Sequence, residues 1–185
     1  LISLPMSNEH TCTIGSDGNS IYFTRDPERK IYVISKTEEG WSKPLPTPYN
    51  GREAILSPDG MKILYGDGDI WISQIYGDSS DVPQKLPPSI NTDAYEFYAS
   101  MTHDGKIFFS RFVDNRTKIF VSEFVNGAYQ TARELPDPIN TPGSNNFHPF
   151  ISSKGDFIIF NSDMAGGFGG ADLYLSYLND KGQWN

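Results

Sequence analysis

The chain has 185 residues, of which 37% are hydrophobic and 14% aromatic, enough to bury a core and to exclude a disordered chain. Its 15 basic and 23 acidic residues give a net charge of -8, which argues against a nucleic-acid partner because phosphate binding needs clustered Lys and Arg. The single cysteine, Cys12, excludes an internal disulfide, and no apolar run approaches the roughly 18 residues of a membrane span.

Four copies of one pattern follow one another along the chain. They read IGSDGNSIYF, LSPDGMKILY, MTHDGKIFF and ISSKGDFIIF, and their turn glycines are spaced by 42, 45 and 50 residues. This spacing is typical of a propeller blade, which takes about 40 to 50 residues. Each turn predicts a hairpin, because glycine readily adopts positive φ. The predicted repeats span residues 6–50, 51–93, 94–143 and 144–185.

Each copy is followed by further strand patterns. The third strand reads IYVIS, IWIS, IFVS or LYLS, with an aromatic between aliphatic residues, as expected for a strand buried on both faces between stacked sheets. A fourth segment ends in Leu-Pro in SKPLP, PQKLP and ARELP, which suits an outer edge strand that can spare an N–H. The sequence therefore predicts an all-β fold, a β-propeller built of four-stranded antiparallel blades with four blade repeats.

The fourth repeat lacks a Leu-Pro segment of its own, whereas the first five residues, LISLP, supply one. We expect residues 1–5 to form the outer strand of the last blade or of a preceding blade. Two alternatives stay open: the four blades close into a small ring, or they are an in-phase part of a larger propeller.

The stretches SPDGMKILY and FHPFISSKGDFIIFNSDMAGGFGGADLYLS resemble repeats of the TolB-like, WD-repeat-like β-propeller family. Those repeats carry a Ser-Pro-Asp-Gly turn, an aromatic strand end, Ser-Asp-Arg, a glycine-rich loop and Asp-Ile-Tyr. Here Lys154 replaces the turn aspartate and Met164 the loop arginine. The resemblance implies a bacterial scaffold that is periplasmic, outer-membrane-associated or secreted. It also implies association with the outer membrane or peptidoglycan through other domains.

The glycine-rich stretch NSDMAGGFGGADLYL connects the second and third strands of the fourth repeat. A phosphate cradle would need a helix after the glycines, and a strand follows instead. We expect a structural loop in which Phe168 is the apolar anchor and Asp163 and Asp172 are turn-stabilising acceptors. The loop residues are Asp163, Gly166, Gly167, Phe168, Gly169, Gly170 and Asp172.

Local motifs for catalysis or metal binding are missing. There is no G-x-S-x-G elbow, and the three histidines form no H-x-x-x-H pair. We expect Cys12 to be a small core residue of an inner strand. Asp67 and Asp69 flank a glycine as in some calcium loops, but they lack the other EF-hand ligands and fit a hairpin turn.

A site could still form where the first strands of the blades converge at the mouth of the central channel. Their polar residues line a wet channel in one interpretation and bind a polar ligand or a divalent cation in the other. No other cofactor is expected. The candidate ligand-binding residues are Glu9, His10, Arg52, Glu53, Tyr95, Glu96, Asn146 and His148.

These observations favour a non-catalytic binding or scaffold module that engages a protein or glycan ligand through its channel mouth and loops. One alternative is a glycan-active lyase or glycosidase that would use the channel Glu and His residues, with the separation of Glu53 and Glu96 as its test. Another is the substrate-gating propeller of a larger serine peptidase. Fold alone does not select among them.

Overall fold

The computed structural model describes residues 2–76 and 79–185, and its regular structure in these ranges is entirely β. Blade 1 comprises β1 (Asn8–Ile14), β2 (Ser20–Asp26), β3 (Lys30–Thr37), β4 (Gly40–Trp41) and β5 (Leu45–Asn50). Blade 2 comprises β6 (Arg52–Leu56), β7 (Lys62–Gly66), β8 (Ile70–Tyr76), β9 (Ser79–Ser80) and β10 (Gln84–Lys85). Blade 3 comprises β11 (Tyr95–Met101), β12 (Ile107–Val113), β13 (Arg116–Ser122), β14 (Phe124–Val125), β15 (Ala128–Tyr129) and β16 (Arg133–Glu134). Blade 4 comprises β17 (Asn146–Ile151), β18 (Phe157–Ser162) and β19 (Asp172–Tyr177).

The predicted fold class is confirmed. The strands pair in the order β1-β2-β3-β5 in blade 1, β6-β7-β8-β10 in blade 2, β11-β12-β13-β16 in blade 3 and β17-β18-β19 in blade 4, all antiparallel. The Leu-Pro segments of the first three repeats supply the outer strands β5, β10 and β16. The inner strands stand side by side, β1 against β6, β6 against β11 and β11 against β17, around the channel.

The apolar core lies between successive blades in three clusters. Register explains its regularity, because an aromatic inside the second strand pairs with the aromatic of the third. The rings stack with centroids 5.8 Å apart in blade 1, 6.0 Å in blade 3 and 5.9 Å in blade 4. In blades 3 and 4 both aromatics lie in the cluster shared with the preceding blade, and in blades 2 and 3 the aliphatic residues of the same strands lie in the cluster shared with the next blade. The stacked pairs are Phe23 with Tyr32, Phe109 with Phe120 and Phe160 with Tyr174.

A buried asparagine closes the outer side of blades 2 and 3 in the same way. Asn91 accepts the N–H of Ile70 at 2.8 Å and donates to the carbonyls of Ile70 and Leu86, both at 2.9 Å. Asn140 repeats this pattern on the backbone of Ile119 and Leu135. One side chain thus satisfies three backbone groups where the outer strand ends and the chain leaves for the next blade.

Residues 2–5 form no strand, so the structure does not show the outer strand expected there; Leu1 lies outside the described residues. Instead, the carbonyl of Ile2 accepts a 2.8 Å hydrogen bond from Arg25 Nη2 on the outward face of blade 1. In blade 4, an isolated bridge between Leu178 and Trp184 lies beyond the third strand.

Two burial predictions are wrong, at opposite ends of the row of blades. Cys12 is exposed, and so are Leu173 and Leu175 of the strand expected to be covered on both faces. Both errors have the same physical reason. Between two blades the neighbouring blade buries these positions, whereas Cys12 and the two leucines lie on the outward sides of blades 1 and 4. Within residues 2–76 and 79–185, no strand of blade 1 packs extensively on blade 4.

Candidate functional site

Each inner strand is interrupted by a bulge at the same place. The register shifts after His10, Arg52, Phe97 and Phe147, so that one extra residue is accommodated on the inner strand. Positive φ is uncommon in residues other than glycine. Four such residues at the same position of the repeat indicate that the fold requires this backbone conformation there. Each lies seven positions before its turn glycine. They are Thr11 (φ 48°), Glu53 (φ 59°), Tyr98 (φ 47°) and His148 (φ 54°).

The bulges of blades 2, 3 and 4 bring their side chains together at the channel mouth. Nε2 of His148 lies 3.7 Å from Oε1 of Glu53. The ring of Tyr98, from the blade between them, stacks on the imidazole with a centroid distance of 4.5 Å. We call Glu53, Tyr98 and His148 the mouth triad. It joins a carboxylate, an imidazole and a phenol in a partly enclosed space.

Hydroxyl groups from the preceding blade hold two of the bulges. Thr24 Oγ1 accepts the N–H of Glu53 at 3.0 Å, and Ser110 Oγ accepts the N–H of His148 at 2.9 Å. The equivalent residue of blade 2 is Gly66, which has no hydroxyl to offer Tyr98. The backbone of Tyr98 hydrogen-bonds the carboxylate of Glu53 instead. The side chain of Glu53 is thereby aimed into the mouth.

Burial dominates the ionisation of the triad. It raises the pKa of Glu53, and this effect is opposed by the hydrogen bond from the Tyr98 backbone and by the charges of His10 and Arg52. Burial lowers the pKa of His148. Burial also raises the pKa of Tyr98, with the Glu53 carboxylate adding to the increase. The lowered pKa of His148 favours the neutral imidazole at neutral pH.

A second group of charged and polar side chains, formed by His10, Asp26 and Arg52, is called the rim. Asp26 joins two predicted site residues, because its carboxylate lies 3.2 Å from His10 Nε2 and accepts from Arg52 Nε at 3.1 Å. His10 also lies 3.1 Å from the hydroxyl of Thr11 on the bulge of blade 1. The rim thus extends the polar surface of the triad toward blade 1.

Glu9 and Glu96 do not reach the mouth. Glu9 is paired with Arg25 at 2.9 Å, and Glu96 with Arg111 at 2.7 Å. Both arginines lie over aromatic rings of their own blade, at 4.3 Å from Tyr32 and at 4.4 Å from Phe120. Glu96 is fully buried, so it cannot serve as the second carboxylate of a glycosidase site with Glu53. Each of these pairs joins the first and second strands of one blade.

The remaining two candidates differ in position. Asn146 is buried and accepts a 2.6 Å hydrogen bond from Ser162, the pairing that replaces Glu–Arg in blade 4. Tyr95 is exposed at the start of β11, where its ring contacts Phe97 with a centroid distance of 5.4 Å. Asn146 is therefore structural, and Tyr95 lies on the approach to the triad.

The described residues contain no group of three His, Cys, Asp or Glu side chains placed to hold a metal ion. At the mouth, Glu53 and His148 together offer two potential metal ligands, one fewer than such a group requires. The calcium-loop interpretation of Asp67 and Asp69 is disfavoured for a different reason, because each carboxylate is paired with a basic side chain. Arg29 lies 2.7 Å from Asp67, and Lys85 lies 2.7 Å from Asp69.

The glycine-rich loop is held by polar bonds. The Asp172 carboxylate accepts from the backbone N–H of Phe168 at 2.8 Å and of Gly169 at 3.2 Å. Asp163 accepts from the backbone and the side chain of Asn145, both at 2.7 Å, and so fastens the loop to the start of β17. The expectation that Phe168 anchors the loop is wrong, since its side chain is fully exposed. The carboxylates of Asp163 and Asp172 therefore hold the loop, and the Phe168 ring points to solvent. Gly166 has φ 99°, and Gly170 lies in open space.

Sequence reasoning missed Tyr98 and Asp26. The constant seven-residue interval between each bulge and its turn glycine would have identified Tyr98, because it aligns this tyrosine with Glu53 and His148. No comparable signal marks Asp26, which lies on the second strand and reaches the rim through its partners.

The fold can be compared with known structures. TolB from Acinetobacter baumannii superposes with a TM-score of 0.64 at 17% identity, covering 97% of this chain and 43% of that one. The fold of the present chain is therefore a β-propeller. A 6-phosphogluconolactonase-like protein of Bacteroides uniformis gives a TM-score of 0.57 at 13% identity, covering 100% of this chain and 56% of its own. A puromycin-hydrolysing peptidase of Mycobacterium tuberculosis gives 0.56 at 13%, covering 96% and 28%.

The propeller therefore spans between about a quarter and somewhat over half of the length of these three proteins. No protein-family model and no curated protein matches the sequence. The described part of the propeller contains no helix long and apolar enough to cross a membrane. Likeness at this level of identity establishes the fold, and the chemistry of the site must come from the residues themselves.

Proposed function

We propose that this propeller is a non-catalytic binding module whose mouth triad holds a basic segment of a protein partner. The observation that carries the proposal is the approach of Glu53 and His148 to 3.7 Å from blades 2 and 4. A carboxylate whose pKa is raised by burial gains most from a cationic partner that replaces lost hydration.

The chemistry around the carboxylate fits a lysine or an amino terminus. The rings of Tyr98 and His148 form a stacked surface beside Glu53, and a cation over an aromatic face is attracted by the ring. The net charge of -8 also favours encounter with a basic partner. A location in the bacterial cell envelope or the secreted space agrees with the structural likeness to TolB.

The test starts with a random peptide library displayed on phage, selected against the wild-type chain and counter-selected against Glu53→Gln. Dissociation constants of enriched peptides are then measured by calorimetry. We expect enriched peptides to carry Lys, Arg or an essential free amine, and E53Q to weaken them at least about tenfold, or 1.4 kcal/mol. Glu123→Gln is the matched control, because Glu123 is a half-exposed acid on the outer side of blade 3.

Two results would count against the proposal. Peptides that bind E53Q as tightly as wild type would place the partner elsewhere. Enrichment on a glycan array that is lost in E53Q, with no peptide selected, would replace the protein partner by a carbohydrate.

A further inference from the structure

The inner strand of blade 3 departs from the repeat at the end nearest the channel mouth. Ten positions before the turn glycine, blades 1, 2 and 4 carry an asparagine, whereas blade 3 carries Tyr95. The asparagines are Asn8, Asn50 and Asn145. Tyr95 is 47% exposed, although blades 2 and 4 flank its blade on both sides. An aromatic ring has therefore replaced a small polar side chain at a position that faces solvent.

The second strand of blade 3 departs in the same way. Phe112 lies opposite Tyr95 in the pairing of β11 with β12, and it is 48% exposed. It follows the paired aromatic of its strand by three positions, where the other blades carry Asp26, Gly68 and Asp163. Residues directly opposite each other in an antiparallel pair share one face of the sheet, with Cβ atoms about 5 Å apart. A single exposed ring needs no explanation, but two adjoining rings that both replace polar or small residues indicate a contact surface.

Phe97 connects these two rings to the mouth triad. Its ring centroid lies 5.4 Å from that of Tyr95 and 5.7 Å from that of the His148 imidazole. The first two rings are tilted by 37° and the second two by 89°, so the surface is notched rather than flat. We call Phe112, Tyr95 and Phe97 the aromatic strip. It leads from the exposed edge of blade 3 to the imidazole beside Glu53.

The mouth therefore has two unlike sides. Phe97 lies eight positions before its turn glycine, and the same position is held by His10 in blade 1 and by Arg52 in blade 2. Charged side chains thus form the rim at blades 1 and 2, and aromatic rings form the strip at blade 3. A segment that places a cation at Glu53 and runs outward over blade 3 meets rings rather than charges.

We propose that the aromatic strip binds prolines of the same partner segment whose basic residue lies at the mouth triad, an inference that rests on the proposed function. A peptide laid over aromatic rings loses the hydration of its N–H groups, which is costly when nothing replaces it. Proline has no backbone N–H, and proline-rich segments adopt the extended polyproline II helix that aromatic grooves bind in other proteins. A carboxylate at one end of such a groove fixes the direction of the segment through its cation.

The length of the strip sets the spacing between the basic residue and the prolines. Tyr95 and His148 are separated by the two centroid steps through Phe97. Since polyproline II rises about 3.1 Å per residue, this path of at most about 11 Å corresponds to about three to four residues. We therefore expect proline at about the third or fourth position from the lysine or arginine.

The first experiment uses synthetic peptides of serine and glycine with blocked ends, one lysine, and a Pro-Pro pair at increasing distances on either side of the lysine. Fluorescence polarisation measures their Kd. We expect the best spacing to bind the wild type about fivefold more tightly than the same peptide without proline. Tyr95→Asn, which installs the residue of the other blades, and Phe112→Ser are expected to reduce this ratio to about 1. Phe168→Ser is the control, because it removes a fully exposed ring outside the strip and should keep the ratio.

The second experiment tests the strip without the mouth. A blocked oligoproline of about ten residues carries no cation, and its binding is followed through the aromatic ring signals in NMR spectra. We expect the signals of Tyr95, Phe97 and Phe112 to shift in the wild type and in E53Q alike, and the shifts of Phe97 and Phe112 to be lost in Y95N. Circular dichroism checks that the variants, changed at exposed positions, keep their strands.

The two experiments separate the strip from the mouth. If oligoproline shifts the ring signals while lysine peptides bind E53Q as tightly as the wild type, the strip is supported and the proposed function fails. Peptides that E53Q weakens but that show no preference for proline at any spacing would overturn the strip as a proline site. Ring signals that oligoproline leaves unmoved and that cellohexaose shifts would also overturn it, and would make the strip a carbohydrate surface.

Discussion

His148 and Glu53 meet at the channel mouth although they belong to blades 4 and 2, with Nε2 of the imidazole 3.7 Å from Oε1 of the carboxylate. They meet because the bulge of every inner strand turns one side chain inward at the same height. The fold thus gives the mouth a fixed scaffold and leaves the identity of the side chain free in each repeat. A binding site can change there without disturbing the blades.

Gly66→Ser is expected to raise the pKa of Glu53 further. A serine would supply the hydroxyl that Thr24 and Ser110 supply in neighbouring blades, and would take the Tyr98 N–H from the carboxylate. The nearest atoms to an added Cβ are at ordinary contact distance, 3.6 Å or more, so the side chain has room. Carbon-detected NMR titration of Glu53 measures the change, and an unaltered titration curve would refute the assigned hydrogen bond.

His148 is expected to make the protein less stable in acid. Burial lowers the pKa of His148 from 6.5, so the unfolded chain binds the proton more readily than the folded one. The stability associated with this histidine is present above pH 6.5 and is lost as the pH falls toward its lowered folded value. Glu53, 3.7 Å away, opposes the effect without reversing it.

Urea unfolding between about pH 7.5 and pH 5 compares the wild type with His148→Gln. The variant should lose less stability over this range, whereas His103→Gln, at an exposed turn, should behave as the wild type. Equal slopes for the wild type and H148Q would exclude a buried neutral imidazole.

Arg111→Met is expected to destabilise the fold by about 3 to 5 kcal/mol, because it removes the cation that pairs with the fully buried Glu96 carboxylate. The double change Glu96→Leu with Arg111→Met should recover much of this loss. Arg133→Met is the contrast, since the exposed pair of Arg133 with Glu123 at 3.6 Å is expected to contribute less than about 1 kcal/mol. Denaturant unfolding decides, and similar losses for both single variants would be inconsistent with a structural role for Glu96.

Gly167→Ala is expected to destabilise the glycine-rich loop by about 1 kcal/mol, because its Cβ would collide with the Asp172 carboxylate and disturb the bonds to Phe168 and Gly169. Phe168→Ser should change stability by less than about 0.5 kcal/mol, since the ring is exposed. Thermal melting of both variants tests the polar description of this loop. A larger loss for F168S than for G167A would restore the apolar anchor.

The blade pattern was readable from sequence because it rests on local chemistry. Turn glycines, paired aromatics and Leu-Pro edges each depend on residues close in the chain, so their spacing predicted the blades and the outer strands. Burial at the two ends was not readable. Cys12 and Leu173 have core character in every repeat comparison, and only the position of their blades at the ends of the row exposes them.

The site was predicted in part for a related reason. Convergence of the inner strands predicted that side chains of different blades would meet, and Glu53 and His148 lie 3.7 Å apart. It could not separate them from Glu9 and Glu96, because the bulge reverses which residues face the channel and no residue type signals a bulge. Those two acids face the blade interior, where each is paired with an arginine from the adjacent strand.

The most direct test of the account is the affinity of a selected basic peptide as a function of pH, measured by calorimetry for the wild type and E53Q. The charged groups that face Glu53 are His148, His10 and Arg52. Repeating the titration in H148Q removes the charge of His148, whereas E53Q retains all three groups and controls for them. We predict that the wild type loses affinity as the pH falls through the raised pKa of Glu53, above 4.5, because the protonated carboxyl no longer attracts a cation. E53Q should bind weakly at every pH, and a pH profile of E53Q that matches the wild type would contradict the account.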